Sequence, residues 1–284
     1  MNHAPLRIGA WQFAPRRGDV SHNLSEVERG LAVASDAGLG LVVLPEMWPT
    51  SFLEGAGPFG GAAAGRDSLE AAYRASDEAV ERVRALSSTY HLAVAGSAYG
   101  PAIEGGRRPN RLVVFDRGRE VLAQDKLHLF SPTAEHFAFA PGRTAPVVAE
   151  ATFGRIAGLV CYDLRFAGLV DILGAGAPDV LVVPAQWPLE RGKHWRALLL
   201  GRAVELQAFV VGANRTGTET VGRRGQELVF PGNSVVASPE GLVLAEGRGE
   251  AGLVWAEVDP GLLARLRREV PVIRDRRPEF DRPG

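Results

Sequence analysis

The chain has 284 residues, of which 46% are hydrophobic and 23% charged, with a formal net charge of −1. This composition is typical of a globular protein with enough apolar material for a sizeable core. The near-neutral charge argues against a nucleic-acid or anionic-membrane partner, and no apolar run approaches the roughly 20 residues of a membrane span.

Cysteine content and the N-terminus indicate the compartment. Cys161 is the single cysteine and cannot form an intrachain disulfide, and the N-terminus carries no apolar segment typical of a signal peptide. We therefore expect a cytoplasmic protein that is kept reduced. The length predicts one domain over residues 1–284, with 265–284 as a locally basic C-terminal tail that is either solvated or a subunit contact.

Short β-rich runs alternate with helical stretches in the first half of the chain. The predicted strands are Leu6–Ala14, Leu39–Leu44, Leu92–Ser97 and Arg111–Asp116. Helices are predicted at Ser21–Ala37 and Ser68–Tyr90, and a hairpin over Arg111–Leu122 around the sequence DRGRE.

The second half repeats this order. The predicted strands are Ile156–Cys161, Val180–Pro184, Ala208–Ala213, Ser234–Ala237 and Leu253–Val258. The predicted helices are Phe166–Ala175, Lys193–Gln207 and Pro260–Glu269, and a second hairpin spans Ser234–Ala245 around SPEG. The sequence VVLPEMWP at Val42–Pro49 also resembles LVVPAQWP at Leu181–Pro188. We call these two stretches the first and the second echo. We therefore predict an α/β protein of two similar halves related by a pseudo-two-fold axis, with helices outside.

Three residues stand out as candidates for chemistry. Glu46 follows an apolar strand in the first echo, where the second echo has Ala185. Lys126 is one of only two lysines, with Lys193, among 32 basic residues, so a compact ammonium rather than a guanidinium is indicated there. Cys161 lies at the end of a predicted strand, just before a helix that starts near Phe166, a setting that lowers the pKa of a thiol.

The residues alone do not decide which base would activate Cys161. None of the six histidines is in a setting that selects it, so a Cys–His hydrolase is not indicated, and the alternative base is the carboxylate of Glu46. His128 and His136 with Glu135 do not have the spacing of a metal site, and no CxxC or HExxH occurs. We expect neither metal nor cofactor.

Glu46 in LPEMW, Lys126 in DKLHLF and Cys161 in CYDLRF together resemble the Glu–Lys–Cys triad of the nitrilase superfamily of carbon–nitrogen hydrolases. The resemblance covers nearly the whole chain and is greatest to the omega-amidase branch, whose members hydrolyse the terminal amide of 2-oxo dicarboxylic monoamides such as 2-oxoglutaramate and 2-oxosuccinamate. It implies a four-layer αββα sandwich, a homodimer or higher homo-oligomer, and a small-molecule amide substrate.

The resemblance also implies roles for individual residues. Cys161 would be the nucleophile that forms a thioester, Glu46 the general base, and Glu135 the second glutamate that orients Lys126 or the substrate. Lys126 and the N–H of Tyr162 would form the oxyanion hole. Arg165 would either bind a substrate carboxylate or belong to an ion pair with Asp163, while Trp187, Phe52 and Phe130 would line the acyl pocket.

Other interpretations remain open from the sequence. One is a different amidase of the superfamily, acting on deaminated glutathione or on N-carbamoyl amino acids, and another is an aliphatic amidase or nitrilase. A silent metabolite-binding scaffold and a glutaminase subunit with a separate partner are two more.

Two features depart from the pattern of the omega-amidase branch. Ala167 and Gly168 replace the Pro that the branch often has after Arg-Phe, and the Gly/Ala-rich stretch Glu54–Arg66 is a candidate loop near the site. Both features bear on the substrate rather than on the chemistry.

Overall fold

The computed structural model describes residues 5–53, 66–103, 106–221, 226–277 and 279. In the first half of these residues the strands are β1 (Leu6–Gln12), β2 (Leu41–Val43), β3 (Ala93–Tyr99), β4 (Arg108–Asp116), β5 (Arg119–Asp125), β6 (Phe139–Ala140) and β7 (Ala149–Ala151). The helices are α1 (Val20–Asp36), α2 (Arg66–Thr89) and α3 (Glu135–Ala138). The candidate loop at residues 54–65 lies outside the described residues.

Among the described residues, the second half contains more strands because it carries an additional hairpin. The strands are β8 (Gly154–Gly158), β9 (Val180–Ala185), β10 (Phe209–Asn214), β11 (Thr216–Val221), β12 (Gln226–Pro231), β13 (Val235–Ala237), β14 (Val243–Glu246) and β15 (Gly252–Val258). The helices are α4 (Ala167–Ala175), α5 (Gly192–Leu206), α6 (Gly261–Glu269) and α7 (Val272–Asp275). Short 3₁₀ helices cover Ser131–Thr133, Cys161–Arg165 and Leu189–Arg191.

The two large sheets have the same topology, which confirms the predicted duplication. The first has the order β15-β1-β2-β3-β4-β5, with β6 beside β4, and the second has β7-β8-β9-β10-β13-β14. In each sheet three parallel strands are followed by an antiparallel hairpin, and one antiparallel strand closes the other edge. Strands β11 and β12 form a separate two-stranded sheet.

Strand alternation produces four layers, as the resemblance implies. Leu41 and Val43 belong to a core that is shared with the second sheet, whereas Val42 and Leu44 face a core that is shared with α1 and α2. Helix α5 covers the outer face of the second sheet, so closely that a Cβ at Gly212 would lie 2.7 Å from the Trp195 ring. The architecture is therefore an αββα sandwich.

One sequence prediction differs from the structure near a functionally important position. Strand β8 ends at Gly158 rather than at Cys161, because the chain enters a 3₁₀ helix at Cys161. The helix predicted over Pro260–Glu269 is confirmed as α6, in which Arg267 donates to Asp179 Oδ1 at 2.8 Å and to the carbonyls of Pro178 and Gln207. The hairpin β11–β12 has no counterpart among the predicted elements.

Candidate active site

Cys161 is held by a strained turn between β8 and α4. Its φ is +46°, a value in the left-handed region that non-glycine residues rarely adopt, and its side chain is nearly buried. The sheets approach so closely just before the turn that a Cβ at Gly158 would lie 1.9 Å from Leu112 Cδ2 of β4. This close approach places the start of the turn between the two halves of the molecule.

Glu46 lies in the first half of the molecule, in the segment that follows β2. The following residue, Met47, has a φ of +49°, and its N–H donates to Ser97 Oγ at 3.0 Å. The buried Glu46 carboxylate accepts three hydrogen bonds: Oε1 from Lys126 Nζ at 2.8 Å and from Asn110 Nδ2 at 2.9 Å, and Oε2 from the N–H of Gln186 at 2.9 Å.

Lys126 joins the two buried glutamates. It follows β5, its side chain is fully buried, and besides Glu46 it contacts Glu135 at 3.0 Å to Oε1 and 2.8 Å to Oε2. Glu135 starts α3 after Ala134, whose φ is +51°, and its Oε2 accepts from the N–H of Phe130 at 3.0 Å. One ammonium therefore pairs with two carboxylates. Lys193, in contrast, is exposed.

Burial and these charges determine which groups are ionised. Burial alone would lower the pKa of Lys126, but Glu135 and Glu46 outweigh it and raise that pKa well above its ordinary value. Burial also raises the pKa of Glu135, against the opposing effect of Lys126. The pKa of the Cys161 thiol is raised well above its ordinary value, first by burial and then by the negative charge of Glu46. The expectation of a lowered thiol pKa is therefore wrong, and the thiol is neutral near pH 7.

Cys161, Glu46 and Glu135 open onto one cavity of about 220 Å³. The five other residues predicted for this site also line it: Tyr162, Arg165, Trp187, Phe52 and Phe130. Further lining residues are Pro132, Thr133, Ala134, Gln186, Pro188, Arg191, Glu219, Leu228 and Phe230. Lys126 lies behind this wall, in contact with both glutamates.

Arg165 does not form the ion pair with Asp163 that was one alternative. Asp163 accepts instead from the N–H groups of Leu127 and His128 at 3.1 and 2.8 Å, and it contacts His128 Nδ1 at 2.9 Å. The Arg165 guanidinium lies over the Trp187 ring, 4.6 Å from its centroid, and contacts His194 Nδ1 at 3.3 Å. Asp163 therefore does not neutralise the positive charge of Arg165, which lines the cavity.

Sequence reasoning missed several polar residues of the site. Asn110 and Gln186 bind Glu46 directly, and Arg191 and Glu219 line the cavity. Asn110 lies inside a strand and Gln186 in the second echo, where nothing in the pattern distinguishes a functional amide. Glu219 lies in the unpredicted hairpin. The polar run NRTGTET, directly after a buried strand, was the available signal for it.

Two negative findings apply to the part of the chain that the structure describes. There, no three His, Cys, Asp or Glu residues come together as metal ligands, and His136 is exposed. No helix in the same residues has the length and apolarity needed to cross a membrane.

The sequence and the structure are similar to those of known amidases. The family model described as carbon–nitrogen hydrolase matches residues 7–268. The 2-oxoglutaramate amidase of Bacillus subtilis is 30% identical over 274 residues, which cover 96% of this chain and 98% of the relative. Omega-amidase YafV of Escherichia coli is 32% identical over 241 residues, covering 84% of each chain.

A solved structure with a similar fold carries a covalent adduct at its own active-site cysteine. A variant of the amidase from Nesterenkonia sp. AN1, with the acetamide moiety of fluoroacetamide covalently added at its active-site cysteine, has a TM-score of 0.78 and 26% identity to this chain. The match covers 97% of this chain and 95% of that one.

Proposed function

The chain belongs to the carbon–nitrogen hydrolase family of the nitrilase superfamily, and we propose that it hydrolyses the omega-amide of a small 2-oxo dicarboxylic acid monoamide such as 2-oxoglutaramate or 2-oxosuccinamate. The observation that carries this proposal is the convergence of Cys161, Glu46, Lys126 and Glu135 beside one small cavity. A buried thiol beside a carboxylate and an ammonium has the groups that amide cleavage requires: a nucleophile, a base and an electrophile.

Cys161 is the nucleophile and Glu46 its base. Because the raised pKa leaves the thiol protonated near pH 7, a base has to remove its proton as Sγ attacks the amide carbon. Lys126 and Asn110 hold Oε1 of Glu46, so Oε2 is the oxygen that takes this proton. The proton passes to the leaving nitrogen as the C–N bond breaks, and ammonia departs from the thioester.

The same carboxylate serves the second half of the reaction. Water gives a proton to Glu46 as its oxygen attacks the thioester carbon, and the C–S bond breaks. The thiolate recovers the proton, and the product leaves as a carboxylic acid. No group besides water is consumed, so the cycle balances with amide and water entering and acid and ammonia leaving.

Lys126 and the N–H of Tyr162 stabilise the negative oxygen of each tetrahedral intermediate. Lys126 Nζ has three N–H donors and contacts three carboxylate oxygens, two of which belong to Glu135. When Glu135 is held through one oxygen, the third donor turns towards the substrate oxygen. Tyr162 is the second residue of a 3₁₀ helix, where the first N–H groups have no acceptor within the helix. Glu135 keeps Lys126 charged and fixed in position.

The cavity walls suit a short acyl chain with an anionic end. Trp187, Phe52 and Phe130 supply apolar surface, and Arg165 and Arg191 supply positive charge. In the described part of the chain no carboxylate pairs with either guanidinium, and each lies over an aromatic ring, 4.6 Å from that of Trp187 and 5.7 Å from that of Phe130. A substrate carboxylate is the partner that this arrangement accommodates.

The proposal also covers location and assembly. The free, buried Cys161 supports a cytoplasmic enzyme. Large apolar side chains exposed on the described surface, among them Leu189, Val204 and Leu242, support a homodimer or higher homo-oligomer. Light scattering of the purified protein tests the assembly, and a monomer at micromolar concentration would contradict it.

Ammonia release from 2-oxoglutaramate tests the activity directly. The wild-type protein should release one ammonia per amide consumed, and Cys161→Ala, the blank, should release none. A panel with 2-oxosuccinamate, an N-carbamoyl amino acid and deaminated glutathione places the substrate within the superfamily. Hydrolysis of one of the latter two without hydrolysis of the 2-oxo monoamides would overturn the omega-amide assignment and keep the thiol chemistry.

A further inference from the structure

A second cluster of buried charges lies next to the triad and takes no part in the proposed chemistry. Arg215, directly before β11, forms an ion pair with Glu219 within that strand, and their side chains are only 3% and 11% exposed. Glu219 is also held by Arg17 from the loop after β1, at 2.5 Å. Removing charges from water is costly unless they are paired and fully hydrogen-bonded, so a buried ion pair beside a cavity calls for an explanation.

Arg215 spreads its donors over separate segments of the chain. Nη1 donates to Gln186 Oε1 at 3.0 Å and to Ser51 Oγ at 3.1 Å, and Nη2 donates to the Pro15 carbonyl at 3.1 Å. These acceptors follow β9, β2 and β1, so one guanidinium fixes the ends of strands from both halves. Nη1 also faces Glu219 Oε2, so its two N–H groups are shared among three acceptors. A planar fork presents donors in all of these directions, whereas a single ammonium cannot reach all of the acceptors.

Gln186 connects this guanidinium to the triad. Because arginine only donates, Gln186 Oε1 faces Arg215 and its Nε2 faces the main-chain carbonyl of Glu46, at 3.0 Å. The backbone N–H of Gln186 donates to Glu46 Oε2 at 2.9 Å, and its carbonyl lies 4.0 Å from Cys161 Sγ. Gln186 therefore contacts the base twice and also touches the nucleophile.

We propose that Arg215 is a positioning residue that acts through Gln186: it fixes the amide of Gln186 so that the backbone N–H of that residue orients Glu46 Oε2 towards the thiol. Glu219 compensates the buried charge of Arg215 and ties the hairpin β11–β12 to the site. The inference rests on the proposed function only in that Glu46 is taken as the base of Cys161.

Arg215→Lys tests this role, because it keeps the positive charge and loses the fork. Misplacing a reacting group by about 1 Å costs on the order of 10²-fold, so kcat should fall between about 10- and 100-fold with KM nearly unchanged. Arg267→Lys is the matched control: Arg267 also pairs with a carboxylate and donates to two backbone carbonyls, but it lies in α6, away from the cavity. The control should keep the wild-type kcat.

Alkylation of Cys161 by iodoacetamide separates positioning from a merely structural role. It needs no amide substrate, and the chain has no other thiol. With the base in place, the rate should change little between about pH 7 and pH 9. In Arg215→Lys the rate should be lower near pH 7 and rise by almost tenfold per pH unit, because direct ionisation then limits it. The wild-type protein could fail to hydrolyse any amide while Arg215→Lys still shows the altered pH dependence of alkylation. That result would overturn the substrate assignment and support the positioning role of Arg215.

A double-mutant cycle tests the route through Gln186. Gln186→Leu removes the hydrogen bond between Arg215 and Gln186 by changing the uncharged partner. If Arg215→Lys does not fold, Gln186→Leu replaces it in the kinetic and alkylation measurements. If Arg215 acts through Gln186, the double variant should lose no more activity than the worse single variant. Additive losses, or an Arg215→Lys alkylation profile like that of Arg267→Lys, would overturn the inference.

Discussion

The two echo segments, Val42–Pro49 and Leu181–Pro188, have the same residue at four of eight positions and end in different structures. In the second, β9 continues through Pro184 to Ala185, paired with Asn214 of β10. In the first, β2 stops at Val43 and the chain turns at Met47, whose φ is positive. The duplication preserved the strand and the Trp-Pro that follows it, but only one copy provides a carboxylate that reaches the other half. A repeat thus builds the scaffold symmetrically, while the chemistry depends on departures from the symmetry.

The tryptophans of the two echoes differ in the same way. Trp48 is buried in the core beneath α1 and α2, against Gly96, where a Cβ would lie 2.9 Å from its ring. Trp187 is equally buried from solvent but lines the cavity and packs on Trp195, with ring centroids 5.3 Å apart. One tryptophan belongs to the fold and the other to the site.

The largest effect should come from making the first echo resemble the second. Glu46→Ala places the residue of the second copy in the first and removes the proposed base, so kcat should fall by about 10²- to 10⁴-fold. Glu150→Gln, at an exposed glutamate of β7, is the control and should keep full activity. Steady-state ammonia release measures both, and a Glu46→Ala variant within tenfold of wild type would rule out a carboxylate base at this position.

The next largest effect should distinguish the two lysines. Lys126→Arg puts a wide fork into a fully buried site and should lower kcat by about 10²- to 10³-fold, the loss expected for a misplaced oxyanion donor. Lys193→Arg, on the exposed face of α5, should change neither kcat nor the midpoint of thermal unfolding. Equal behaviour of the two variants would mean that any cation suffices beside the carboxylates.

Smaller effects should distinguish the two tryptophans, because one substitution should affect stability and the other substrate binding. Trp48→Phe should lower the free energy of unfolding by about 1–3 kcal/mol with unchanged KM, because it leaves a cavity in the core. Trp187→Phe should raise KM by about tenfold, since it alters the pocket wall and loses the bond from Nε1 to the Arg191 carbonyl. Urea unfolding and substrate titration measure the pair, and a KM effect of Trp48→Phe would contradict the division.

The smallest effect concerns alkaline pH. The pKa of Cys161 is higher in the folded chain than in the unfolded one, so its contribution to stability is present below the ordinary pKa of 9.0 and is lost as the pH rises above it. At about pH 10 the unfolded thiol is ionised and the folded one is not, which costs about 1.4 kcal/mol. Between about pH 7.5 and pH 10, wild type should therefore lose that much more unfolding free energy than Cys161→Ala, as measured by urea titration. Equal losses would mean that the folded thiol ionises normally.

Local sequence predicted most of the scaffold. The duplicated order of strands and helices, the two hairpins and the four layers all follow from apolar periodicity and from motif resemblance. Elements that lack a strong apolar period, such as β6, β7 and the polar hairpin β11–β12, were not found. The end of β8 was misplaced because the apolar run continues through Leu159 and Val160 after strand pairing has stopped.

The sequence by itself determined the fold and the identity of the candidate reactive residues, because both are encoded in short segments with distinct patterns. Only the tertiary structure decided how those residues are held. Asn110, Gln186 and Arg215 come from distant parts of the chain to fix Glu46, directly or through another residue. The charge state of Cys161 was also decided there, because its pKa depends on burial and on the field of Glu46. Electrostatic effects act across space between segments, and a linear sequence does not record which segments will meet.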